Sequence, residues 1–262
     1  MSKAVHIDFE KMLGVMSVGV RRASAFMALG LRAANESSID SIQLDTNNHI
    51  SFFPNNVGQD DILNIKSEFA SWVIASGLRE LDQFLAVFCD ELFVALTYLN
   101  ANGKVLGEKS LNSIKQFKEG TSASGKLNKI REEFGVDSHL SKHFIGFSSA
   151  RNCLTHHLGF VVPRHCNVAR ALELTWLGQD MVVGERVISD SFEPFRVEKG
   201  ESIWIRFPTR SKKFELDSKI ILSSRDLSEI CFTYDRHSVA LVKATEDRAR
   251  ELGIEVKENK KK

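Results

Sequence analysis

The chain holds back the residues that would place it in several structural classes. It has four prolines and two tyrosines, too few for a turn-rich β-sandwich. Its four cysteines, Cys89, Cys153, Cys166 and Cys231, form no C-x-x-C pair, which argues against a disulfide framework or a zinc ribbon. Neither sign of charge dominates: 35 Lys+Arg meet 34 Asp+Glu, so a uniformly basic nucleic-acid binder is excluded. Long apolar runs are also missing. Arg21 and Arg22 interrupt the stretch from Met12 to Val20, no cleavable signal is apparent, and the expectation is a cytoplasmic protein away from membranes.

What is present is an ordinary globular composition. Apolar residues make up 43% of 262, enough for a hydrophobic core without staples, so disorder and collagen-like repeats do not apply to the bulk. Periodicity predicts a mainly helical protein. One helix is expected over 8–34, weakened by Gly14, Gly19 and Gly30. A short hairpin fits the alternation over 41–53. The strongest helical pattern covers 60–99 and is expected to break near Ser76-Gly77 because of its length. Short helices follow over 108–118 and 124–135, then a helix from Lys142 to Val161, stopped by Pro163.

Short strands are expected over 181–189, 203–207 and 214–222, with Arg210 to Lys213 in a hairpin turn. Ser224 or Asp226 then caps a final helix running to Leu252, before Gly253. The organisation read from this is an N-terminal helical extension (1–58), a helical bundle (59–252) with a β insertion at 181–222, and a flexible Lys-rich tail (253–262).

Gly120-x-x-x-x-Gly125-Lys126 copies the front of a phosphate-binding loop. Leu127 stands where that loop needs Ser or Thr, and a helix precedes it where a buried strand is required, so it reads as a connector.

The segment Arg151-Asn152-Cys153-Leu154-Thr155-His156-His157-Leu158-Gly159 carries the chemistry. On a continuing helix, Phe147, Ala150, Leu154, Leu158 and Val161 fall within about 80° and form the core stripe. Asn152, His156 and Gly159 share the opposite face, whereas His157 turns half inward as a core histidine. Arg151 flanks the stripe, about 140° from His156.

This segment resembles the R-x4-6-H motif of the HEPN superfamily, in its RNxxxH form. The resemblance implies a HEPN-like helical bundle and a metal-independent RNA endonuclease without cofactor. His156 would act as the base that takes the 2′-OH proton, and Arg151 would stabilise the charged transition state. Asn152 would fix the imidazole or hold a phosphate oxygen, and Gly159 would permit close approach. It also implies a homodimer with a composite site, in a toxin–antitoxin or phage-defence role with an antitoxin or defence-system partner protein. The alternative is a non-catalytic RNA-binding or regulatory/scaffold protein of the same fold.

Around this motif, Asp82, Asp90 and Glu91 are candidates to orient Arg151. Lys126, Lys129, Arg131, Lys142, Arg164 and Arg170 are candidates for a basic rim that contacts RNA. The spacings among His139, His143, His156, His157, His165 and Cys166 follow no metal-ligand pattern, and no metal is expected.

Overall fold

A computed structural model describes residues 6–36, 58–102, 104–120, 122–188 and 197–256. The expected 41–53 hairpin and most of the 253–262 tail lie outside these residues. Within them the protein is mainly helical, with a small antiparallel β region before the last helix. The helices are α1 (Phe9–Glu36), α2 (Gln59–Asn100), α3 (Glu108–Gly120), α4 (Ala123–Phe134), α5 (His143–His156) and α6 (Ser224–Glu251).

Two apolar helices of opposite direction, α1 and α2, lie side by side. Met12, Met16, Gly19, Ala23, Met27 and Ala34 make a narrow buried stripe at three- and four-residue spacing. Their glycines are the points of closest approach. A Cβ on Gly19 would stand 2.4 Å from Phe84 Cβ, and one on Gly30 would stand 2.7 Å from Val73 Cγ2. Gly77 meets the Met27 thioether in the same way.

The expected break near Ser76-Gly77 does not occur, because the helix runs unbroken through both residues. Gly77 is retained there for contact with α1, and the burial of this face outweighs its poor helix propensity. The buried Met residues of α1 belong to the same core as the apolar side chains of α2, α5 and α6, so the N-terminal helix shares the bundle's interior. Among the described helices, α1 alone is long and apolar enough to cross a bilayer; here it packs along α2 and α6.

The β region opens earlier than expected, at Ala171. Strand β1 (Ala171–Leu177) pairs antiparallel with β5 (Thr209–Glu215), with Ala171 opposite Glu215 and Leu177 opposite Thr209. Beyond Gly178 and Pro208 the ribbon continues as β2 (Asp180–Val183) flanked by β3 (Arg186–Ile188) and β4 (Ile203–Arg206). Arg210 to Lys213 therefore lie inside β5, where their pairing with β1 replaces the expected turn.

The ribbon is tied to α6 by two buried carboxylates. Glu229 accepts from Trp176 Nε1 at 2.8 Å and from Arg210 Nε at 3.0 Å. Asp180 accepts from Arg206 at 2.8 Å and from Arg225 at 3.2 Å. The Arg206 hydrogen bond holds the Asp180 carboxyl below its ordinary range, against the opposing effect of burial.

Helix α6 starts one residue earlier than the expected caps. Ser223 is the N-cap and accepts from Asp226 N at 3.1 Å, while Asp226 Oδ2 accepts from Ser223 N at 2.7 Å. Asp226 thus completes a capping box at the third helical position.

Candidate functional site

Helix α5 carries the Arg-Asn-x-x-x-His segment and lies between α2 and β1. Phe144, Phe147, Ala150, Cys153 and Leu154 are buried beneath it. Phe147 stacks on Tyr234 of α6 at 5.5 Å between ring centres, and Phe144 meets the same ring edge-on at 4.7 Å. At Gly146 a Cβ would come 3.1 Å from the Glu173 carbonyl, so the absent side chain lets α5 settle on β1.

The helix stops sooner than its periodicity predicts. It ends at His156, with Leu158 (φ 51°) and Gly159 (φ 87°) in left-handed conformation. The Cys153 carbonyl accepts from both His157 N at 2.9 Å and Gly159 N at 3.1 Å. The chain then pairs with the segment before α6: Ile220 N donates to Gly159 O at 2.8 Å, and Val161 N to Ser218 O at 3.0 Å. These tertiary bonds outweigh continuation of the helix, even though αL costs Leu158 about 1–2 kcal/mol.

Three placements change as a result. Leu158 is 72% exposed and leaves the core stripe. Gly159 sits buried in the turn, its ideal Cβ position 3.5 Å from Lys219 Cγ, and is not on a helix face. His157 is half-exposed beyond the helix end and is not a core histidine.

Arg151 reaches across to α2. Its Nη1 donates to Asp82 Oδ2 at 2.5 Å, and its Nε and Nη2 donate to Asn152 Oδ1 at 3.3 and 3.0 Å. The second oxygen of Asp82 accepts from Tyr234 Oη at 2.7 Å. Asp82 is buried, and its carboxyl is the hub of three elements. Burial pushes this carboxyl up, while the Tyr234 hydroxyl and the Arg151 guanidinium pull it back. The guanidinium remains 24% exposed and keeps two of its five N–H groups for another acceptor.

Asn152 therefore holds the arginine and not the imidazole. His156 is exposed at the C-terminal end of the same helix and hydrogen-bonds to no described residue.

The candidate rim does not assemble as one surface. Lys126 is buried and pairs with Asp90 at 2.5 Å, which removes both from the site. Lys129 lies over the Phe93 and Phe117 rings and pairs with Glu133 at 3.6 Å. Arg131 and Lys142 line a cleft of about 330 Å³ at the other end of α5. Lys142 precedes His156 by fourteen residues, about 20 Å along the helix. Of the rim residues, Arg164 alone is hydrogen-bonded beside the motif, its Nη2 2.6 Å from His157 Nε2.

The Gly120–Lys126 stretch joins α3 to α4, with Ser122 capping α4 by accepting from Gly125 N at 3.3 Å. Its lysine is the one bound to Asp90, so it offers no phosphate a partner. Among the described residues no three His, Cys, Asp or Glu side chains gather as a metal site.

Sequence reasoning missed Tyr234. Tyr234 continues the apolar stripe of Leu227, Ile230 and Leu241, and the available signal was a hydroxyl on a core face, which requires a buried acceptor. Comparison of the chain with family models, with curated proteins and with solved structures returned no match.

Proposed function

We propose that the protein is a metal-independent RNA endonuclease of HEPN type, acting as a homodimer whose two motif helices share one cleft. The observation that carries the proposal is the preorganised guanidinium. Arg151 is fixed by Asp82 and Asn152 with N–H groups to spare, one and a half turns from an exposed imidazole on the same helix.

An imidazole titrates near 6.5 and is suited to taking the 2′-OH proton at neutral pH. Attack of that oxygen on the adjacent phosphorus expels the 5′-oxygen and leaves a 2′,3′-cyclic phosphate and a 5′-OH end. Arg151 offers its remaining donors to the equatorial oxygens as their charge grows. DNA lacks the nucleophile and stays intact. The biological setting we infer is a toxin–antitoxin or phage-defence system with a restraining partner protein.

A second reading, a non-catalytic RNA-binding or scaffold protein, is favoured by one observation. Asp82 offsets the Arg151 charge at 2.5 Å, which lowers the pull on a phosphate. Single-stranded RNA in EDTA separates the two. The wild type should cut it, and Arg151→Ala and His156→Ala should each lose about 100-fold or more in kcat. Intact RNA with the wild-type dimer, or equal cutting by the variants, sinks the nuclease reading.

A further inference from the structure

A second group of basic side chains stands where α5 ends, apart from the Arg151–Asp82 pair. His156 closes the helix, His157 follows it, and Arg164 and His165 lie in the short 3-10 turn Pro163–His165. Arg164 Nη2 is 2.6 Å from His157 Nε2. A guanidinium only donates, so Nε2 accepts and the imidazole proton sits on Nδ1. The His157 and His165 rings are 5.7 Å apart. Burial, then the neighbouring charges of Arg164, His157 and His156, hold the His165 imidazole below its ordinary range.

Among the described residues, no carboxylate is paired with this group. Arg151, Arg206, Arg210 and Arg225 all rest on carboxylates, whereas Arg164 is exposed and ion-pairs with no described carboxylate. The segment paired with 159–161 brings Lys219, whose amine turns to Ser67 Oγ at 2.8 Å, and Asp217, which forms no ion pair. The Cys153 and Cys166 thiols lie beneath, and burial pushes the Cys153 thiol up. An arginine donating to a neutral imidazole holds a weak acceptor that a phosphate oxygen replaces with a charge-assisted bond.

We propose that Arg164 and His157, with the His165 ring packed beside them, form a phosphate-binding clamp next to His156. On binding, the Arg164 N–H passes from His157 Nε2 to a phosphate oxygen. The freed Nε2 takes one proton from solvent and becomes a second donor to the same group. Binding therefore takes up a proton and tightens as pH falls. The phosphate comes either from an RNA backbone or from a free phosphate group. The RNA source rests on the function proposed above, but the clamp itself does not.

The test titrates the full chain with inorganic phosphate and, separately, with a 2′-O-methyl RNA oligonucleotide that cannot be cut. The oligonucleotide, whose phosphodiesters keep their charge across this range, should bind several-fold tighter at about pH 6 than at about pH 7.5, where imidazoles titrate. Arg164→Gln should weaken it about tenfold at an unchanged melting temperature, the worth of one charge-assisted bond. His157→Asn should remove the pH dependence while keeping weaker binding. Arg164-dependent binding of the oligonucleotide alone assigns the backbone as ligand, and of inorganic phosphate alone a free phosphate group; either supports the clamp.

Equal affinities for wild type and Arg164→Gln, or no binding of either probe to the wild type, overturn it. Cleavage of ordinary RNA is scored apart. Arg164-dependent phosphate binding without cleavage removes the nuclease and leaves the clamp. Cleavage by Arg164→Gln with unchanged KM keeps the nuclease and removes the RNA backbone as the ligand of the clamp.

Discussion

Asp82 shows how one buried carboxylate joins three elements. Its two oxygens serve Arg151 of α5 and Tyr234 of α6 while its backbone belongs to α2. Removing the Tyr234 hydroxyl leaves Asp82 Oδ1 unpaired in the core, whereas the ring still packs on Phe144 and Phe147. Tyr234→Phe should therefore cost about 1–3 kcal/mol in urea unfolding. In an RNA-cleavage assay it should lower kcat more than it changes KM, since Tyr234 acts on Arg151 through Asp82. An unchanged unfolding midpoint would show that Tyr234 contributes packing alone. The sequence offered Asp82 as a candidate to orient Arg151, beside Asp90 and Glu91. It could not choose among them, because the choice depends on which turn of α2 faces α5. Asp90 faces α4 instead and takes Lys126.

At the scale of elements, the glycines of α1 carry opposite consequences. Gly19 lies against Phe84 of α2, and the atom in the way is the Phe84 Cβ, which cannot swing aside without moving its helix. Gly19→Ala should destabilise the protein by about 1–3 kcal/mol. Gly14 meets nothing within 4 Å, so Gly14→Ala should stabilise it by about 0.5–1 kcal/mol through helix propensity. Urea midpoints of the two variants shifting the same way would overturn this account of α1–α2 packing. The helix itself was legible from its apolar spacing, but the pairing that makes one glycine necessary and another dispensable was not. Helix α5 teaches the same about ends. Periodicity carries the pattern on to Val161, but the backbone bonds with 218–220 stop the helix at His156 and move His157 out of the core.

At the scale of the whole molecule, two buried histidines should set the acid limit. Burial holds the His237 imidazole down to about 3, with smaller effects from His143 and His139, and neither of its ring nitrogens finds a partner. Burial also holds His143 down to about 4, and its Nδ1 lies 2.6 Å from Thr175 Oγ1. Both are depressed below the unfolded value near 6.5, so the unfolded chain binds more protons between these values. Their stability is fully present above about pH 6.5 and is lost as pH falls, by about 1.4 kcal/mol per unit for a fully buried histidine. Unfolding free energy measured at about pH 7 and pH 5.5 should drop, and His237→Phe should flatten the slope. A slope untouched by that substitution would assign the acid limit to other groups.

The residue types of the site and the existence of the helical segments were determined by the sequence alone, since each is a local property of spacing and side-chain chemistry. The near balance of charge likewise excluded a uniformly basic surface. The tertiary structure decided which groups meet. The Arg151–Asp82 bond spans 69 residues and the Tyr234–Asp82 bond spans 152, separations over which no periodicity carries information. It also decided where α5 ends, because backbone groups that can pair with a neighbouring segment outweigh a local preference for one more turn of helix. That ending separates Arg151, held on carboxylate and amide, from Arg164, which is left with an imidazole.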